Sequence, residues 1–65
     1  MTKWGRKVLR TMYLCEINDA EIYEHRTRLE LEQLEKKGLA ECIKLYGGAL
    51  TVWRTTAAGN EEALK

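Results

Sequence analysis

Proline and phenylalanine are absent from these 65 residues, histidine occurs once and cysteine twice. No apolar run approaches the roughly 20 residues that a membrane-spanning helix requires. The first residues also lack the apolar region of a secretory signal, so a cytoplasmic protein with no membrane role is expected. Cys15 and Cys42 stand 27 positions apart and form no Cys-x-x-Cys pair. A zinc site would need both thiols, His25 and a fourth ligand at spacings unlike the usual finger patterns, so the cysteines are read as reduced thiols and no metal is expected. His25 belongs to no nucleophile–base pairing, and Gly47-Gly48 reads as a hairpin turn rather than a phosphate loop. Enzyme chemistry and cofactors are therefore not expected. So short a chain makes one domain, residues 1–65, and buries only about 60% of its unfolded surface; a partner subunit would help it.

What is present is a strong charge asymmetry under a net charge of +1. Residues 1–12 carry Lys3, Arg6, Lys7 and Arg10 with no acid, whereas residues 13–42 hold eight acids against four bases. Between 43 and 60 only Lys44 and Arg54 are charged. A nucleic-acid surface is normally basic, because phosphate neutralisation supplies most non-specific affinity. Here it would have to come from the first segment and from the region around Lys44 and Arg54.

Trp4, Val8, Met12 and Cys15 fall at helical spacing, Leu9 widens the stripe and Thr2 can cap it, which predicts a helix from Trp4 to Cys15. A second helix is predicted after Asn18, with Asn18 and Glu21 as its capping pair and Ile17 stapled onto Ile22 or Tyr23. Residues 19–37 allow two readings. Thr27-Arg28-Leu29-Glu30 is a capping box from which a third helix could run to Lys37. Alternatively Ala20, Tyr23, Thr27, Leu31, Leu34 and Gly38 line one stripe of a single helix from Asp19 to Lys37. The broken form is favoured. Gly38, after two lysines, is the stop.

The segment that follows can be read by register. With Gly47-Gly48 as a two-residue turn, the facing pairs are Tyr46/Ala49, Leu45/Leu50, Lys44/Thr51, Ile43/Val52, Cys42/Trp53 and Glu41/Arg54. The aliphatic face of Ile43, Leu45, Leu50 and Val52 is expected to pack on the helices, leaving Tyr46, Lys44, Thr51, Cys42 and Trp53 outside. Thr55 or Thr56 then caps a short final helix reaching Leu64.

Two runs carry a family resemblance. Leu34-Glu35-Lys36-Lys37-Gly38-Leu39-Ala40 resembles the end of the third helix of MarR- or PadR-type winged-helix regulators. Thr55-Thr56-Ala57-Ala58-Gly59 resembles the Leu-Thr-x-x-Gly that follows their wing. The resemblance covers residues 34–64 and implies an α+β winged-helix domain: three helices, a two-stranded hairpin wing and a short C-terminal helix. This chain departs in being shorter between Asp19 and Lys37, so that helix 2 is cut to under two turns or merged with helix 3. The resemblance implies a transcriptional regulator that binds double-stranded DNA. Its recognition helix would present Arg26, Arg28, Gln33 and Lys36 beside Glu32, its wing Lys44 and Arg54, and its first helix Lys7 and Arg10 along with Lys3 and Arg6. A second expectation is a protein-binding winged helix, an inhibitor, anti-repressor or adaptor of the kind phages and mobile elements encode. It would use the acidic surface of Glu21, Glu24, Glu30, Glu32 and Glu35, with Tyr46 and Trp53 as aromatic anchors. Trp4 and Trp53, large aromatics on a small domain, make a homodimer the expected assembly.

Overall fold

The structure, a computed structural model, describes residues 1–65. Its first helix, α1 (Lys3–Leu14), starts at the expected cap: the Thr2 hydroxyl accepts from the Gly5 N–H at 2.9 Å. The same hydroxyl donates to Glu30 Oε1 at 2.9 Å, which places a carboxylate over the positive end of α1. Val8, Leu9 and Met12 are buried. Cys15 leaves the helix in an extended conformation and remains exposed.

A strand that the sequence reading missed follows: β1 (Ile17–Asn18) pairs antiparallel with β3 (Leu50–Thr55) through Ile17↔Trp53 and Asn18↔Val52. Ile17 is therefore a strand residue packed against the core, not a helix staple. The predicted second helix shrinks to one 3₁₀ turn, Asp19–Glu21, capped by the Asn18 side chain accepting from the Ala20 N–H at 3.0 Å. Strand pairing holds the chain extended up to Asn18, and Ile22 turns extended again (φ −88°, ψ 105°) to pack against the core. Too few residues are left between these anchors for a helix.

The break in residues 19–37 is thus real, but it falls at Ile22–Glu24. Helix α2 (His25–Lys36) begins two residues before Thr27, with Glu24 as a cap that makes no side-chain bond. Thr27 shares the inward stripe with the buried Leu31 and Leu34, so packing overrides its capping potential. At the other end Gly38 adopts φ +75°, the Gly38 N–H reaches Glu35 O at 3.0 Å and the Leu39 N–H reaches Leu34 O at 2.9 Å. This is a Schellman stop. Nothing within 4 Å would meet a Cβ on Gly38, so Gly38→Ala should cost only the left-handed backbone strain, about 1 kcal/mol in urea melts.

Strand β2 (Ala40–Leu45) pairs with β3 in the predicted register, from Glu41↔Arg54 to Leu45↔Leu50, with Ala40↔Thr55 added. Tyr46 and Ala49 do not pair as strand residues; they bracket the turn, closed by the Ala49 N–H to Tyr46 O at 3.2 Å with Gly47 and Gly48 at positive φ. The sheet is three-stranded, order β1-β3-β2. Helix α3 (Ala57–Ala63) follows, capped by Thr56 rather than Thr55. The fold is α+β with three α-helices and an antiparallel sheet, two of those helices preceding the hairpin instead of three.

The faces of the hairpin are inverted relative to expectation. Trp53, 5% exposed, joins Ala40, Leu9, Leu31 and Leu34 in the core, with Cys42 and Ile17 packed beside it. Ile43, Leu45 and Leu50, half-buried, form the opposite face together with Val52, which is buried but stands outside the cluster around Trp53. The reason is the seat available to the indole: its Nε1–H donates to Asp19 Oδ1 at 3.0 Å, a partner that the missed turn supplies. No helix is long and apolar enough to cross a membrane.

Candidate functional site

Helix α2 sorts its side chains by periodicity. Opposite the buried Leu31 and Leu34, Arg26, Leu29, Gln33 and Lys36 follow one another at steps of three, four and three residues, and all four are exposed. The acids that share the helix mostly point elsewhere. Glu30 is half-buried at the start of α1, where Thr2 binds it. Glu35 is exposed but falls outside the stripe; burial first, then the charges of Asp19 and Glu35, raise the Cys42 thiol above the ordinary cysteine range. Glu32 alone borders the exposed stripe.

Arg28 does not join that stripe. Its Nη1 donates to Asp19 Oδ1 at 2.8 Å, the same oxygen that receives the Trp53 N–H. These two bonds, the indole's first and the guanidinium's second, hold the Asp19 carboxyl below the usual aspartate range. Arg28 therefore acts within the fold, tying the Asp19–Glu21 turn to α2 and β3. Arg54 is also withdrawn: it lies on the sheet face away from α2, 3.8 Å from Glu16 Oε1. Lys44 sits on the opposite face, two residues beyond Cys42, on the side where β2 meets α2, and it is exposed.

On α1 the basic residues divide. Arg6 and Arg10 reach the end of α3, donating to Glu62 O at 3.3 Å and to Lys65 O at 3.2 Å, where cations suit the negative end of a helix. Glu62 is held below the ordinary glutamate range, mainly by its hydrogen bond to Lys65. Lys3 and Lys7 remain exposed on the outward side. Trp4 is half-buried and bridges the two helices, with Arg26 Cζ 4.1 Å and Lys7 Nζ 5.2 Å from its ring centroid.

Of the residues expected to contact DNA, the structure thus brings Arg26, Gln33, Lys36 and Lys7 to one connected surface on α2 and α1, with Lys44 at the hairpin. It engages Arg28, Arg54 and Arg10 in contacts within the chain. Of the expected aromatic anchors only Tyr46 is free, at 83% exposed; Trp53 is core and Trp4 is covered by two cations, so neither supplies the bare aromatic surface from which a homodimer was expected. The sequence reading missed Asp19 as a junction and Leu29 as an exposed apolar residue within the α2 stripe. For Leu29 the signal was available, at the i+3 position from Arg26. For Asp19 it was not, because its partners are nine and 34 residues away. No protein-family model, curated protein or solved structure matches the chain.

Proposed function

We propose that the chain is a small winged-helix DNA-binding protein, a transcriptional regulator whose α2 enters the major groove. The observation that carries this reading is the stripe Arg26–Leu29–Gln33–Lys36, exposed along α2 while Glu30 is turned to α1, where Thr2 binds it, and Glu35 falls outside the stripe. Glutamine offers the paired donor and acceptor that an adenine edge matches, Leu29 suits a thymine methyl, and Arg26, Lys36 and Lys44 suit phosphates. The order of elements supports it too: a helix, a short strand, a turn, a second helix, a hairpin and a short helix, with the first strand laid beside the last. In this reading the three-residue Asp19–Glu21 turn takes the part of the first helix of a helix-turn-helix, and the Asp19–Arg28 pair fixes it on α2. Two copies with their α2 helices about 34 Å apart would read a two-fold symmetric site.

The test is fluorescence polarisation on a labelled random duplex at 20 mM salt. Binding below about 100 μM is expected, as for non-specific complexes. Gln33→Ala with Lys36→Gln should weaken it about tenfold with an unchanged melting curve. An absence of binding at that concentration sinks the proposal.

A second reading, a protein-binding adaptor or inhibitor, is favoured by the half-buried apolar residues Ile43, Leu45 and Leu50 on the sheet face opposite Trp53, with Tyr46 exposed beside them. Leu45→Asp would abolish capture of a protein partner and leave duplex binding intact.

A further inference from the structure

The Trp4 ring carries two cations from two helices. Arg26 approaches to 4.1 Å and Lys7 to 5.2 Å from its centroid. Neither pairs with a carboxylate, unlike Arg6, Arg28, Arg54 and Lys65. The ring attracts each cation, and two positive charges gathered at one indole with no carboxylate partner raise the local positive potential. An anion bound beside them would be favoured by both. Arg26 is also the second residue of α2, where the helix dipole adds positive potential and where Glu24 supplies no side-chain bond to the free N–H groups.

We propose that Lys7 and Arg26, held together by Trp4, form a clamp for one phosphate of the DNA backbone, which extends the contact surface from α2 onto α1. The inference rests on the DNA-binding reading, and it assigns to Trp4 a positioning role: the indole holds the guanidinium at the seam of α1 and α2. Lys3 continues the line at the start of α1, one turn before Lys7. Arg26 thereby becomes a backbone contact rather than a base reader, and base discrimination falls to Gln33 and its neighbours on α2.

The experiment is polarisation on a random duplex across 20–200 mM salt, for the whole chain and for Lys7→Gln, Arg26→Gln, Trp4→Phe and Trp4→Leu. Either charge removal should lower the slope of log K against log salt by up to about 0.9, the whole share of one phosphate, and the affinity at 100 mM salt several-fold. Trp4→Phe, which keeps a ring face, should stay near wild type, while Trp4→Leu should approach Arg26→Gln. Melting curves of all four variants distinguish loss of the clamp from loss of the fold. Trp4→Phe is the variant that separates positioning from mere packing. Unchanged slopes in both charge variants, with wild-type binding intact and Gln33→Ala, Lys36→Gln impaired, overturn the clamp and leave the DNA reading standing. No duplex binding by the wild-type chain overturns both. Equal binding of inorganic phosphate at 1 mM, seen as competition that Lys7→Gln abolishes, would support the same anion chemistry at this pair.

Discussion

Gly59→Ala is expected to destabilise the protein by about 3 kcal/mol or more, which in so small a chain lowers the melting temperature by about 12 °C or unfolds it outright. An ideal Cβ at position 59 would stand 1.9 Å from the Leu39 carbonyl oxygen, 2.9 Å from its carbon and 3.3 Å from Thr55 Cβ. Backbone cannot swing aside as a side chain can, so α3 itself would have to lift. Lifting it breaks the Thr56 N–H to Leu39 O bond at 3.2 Å and the Thr56 hydroxyl to Gly38 O bond at 2.6 Å. It also unseats Ala63 from the core and frees the Arg6 and Arg10 guanidiniums that reach α3. Gly5→Ala is the control. There the nearest atom is the carboxylate end of the Glu30 side chain, 2.7 Å away, which can swing aside at the cost of its exposed hydrogen bond from Thr2; an alanine inside a helix gains up to about 1 kcal/mol over glycine, so little net change is expected. Thermal melts of the two variants beside wild type decide the matter. Equal, small shifts would mean that the α3–Leu39 approach is looser than the structure has it.

That joint also explains what could be read from the sequence. The run ending in Lys37-Gly38-Leu39 and the run Thr56-Ala57-Ala58-Gly59 attract notice as separate patterns, but the structure makes them one contact: Thr56 caps α3 through the Gly59 N–H and holds the end of α2 through Gly38 O. Local chemistry of this kind is legible because a glycine stop and a threonine cap each act within a few residues. The β2–β3 register was legible for the same reason, since a Gly-Gly turn fixes every later pair. The choice of inner face was not. Parity says that Trp53 and Ile43 lie on opposite sides; it does not say which side meets the helices, and aliphatic content pointed the wrong way. What decides it is a polar seat for the indole N–H, furnished by Asp19 from 34 positions upstream. The candidate surface divides along the same line. Exposure of Gln33 and Lys36 follows from periodicity within α2, while the withdrawal of Arg28 and Arg54 and the stacking of Arg26 on Trp4 depend on partners in other elements. Charge counting overstated the acidity of α2, because a carboxylate that caps a neighbouring helix no longer faces outward.

Asp19→Ala is the second large effect, about 2–3 kcal/mol at pH 7. Its greater part comes from leaving the buried Trp53 N–H without an acceptor, a cost of about 1–3 kcal/mol. The ion pair with Arg28 adds less: that guanidinium is 38% exposed and screened by solvent, which limits the pair to under about 1 kcal/mol. Trp53→Phe tests the division, since it keeps most of the packing and removes the donor. In a double-mutant cycle Asp19→Ala should cost much less on the Trp53→Phe background. The pH dependence has a fixed sign. The carboxyl is held below the ordinary aspartate value in the folded chain, by the indole hydrogen bond first and by Arg28 second, so the unfolded chain takes up the proton first as the solution is acidified. The stabilisation is therefore full above the unfolded value of about 3.9 and is lost as pH falls through the folded one. Urea melts of wild type and Asp19→Ala should differ by a constant amount between pH 5 and 8, with the gap narrowing below pH 4. Half-molar salt should trim the Arg28 share and leave the Trp53 share. A gap as wide at pH 2 as at pH 7 would show that Asp19 stabilises the chain by packing or turn geometry, with no contribution from its charge.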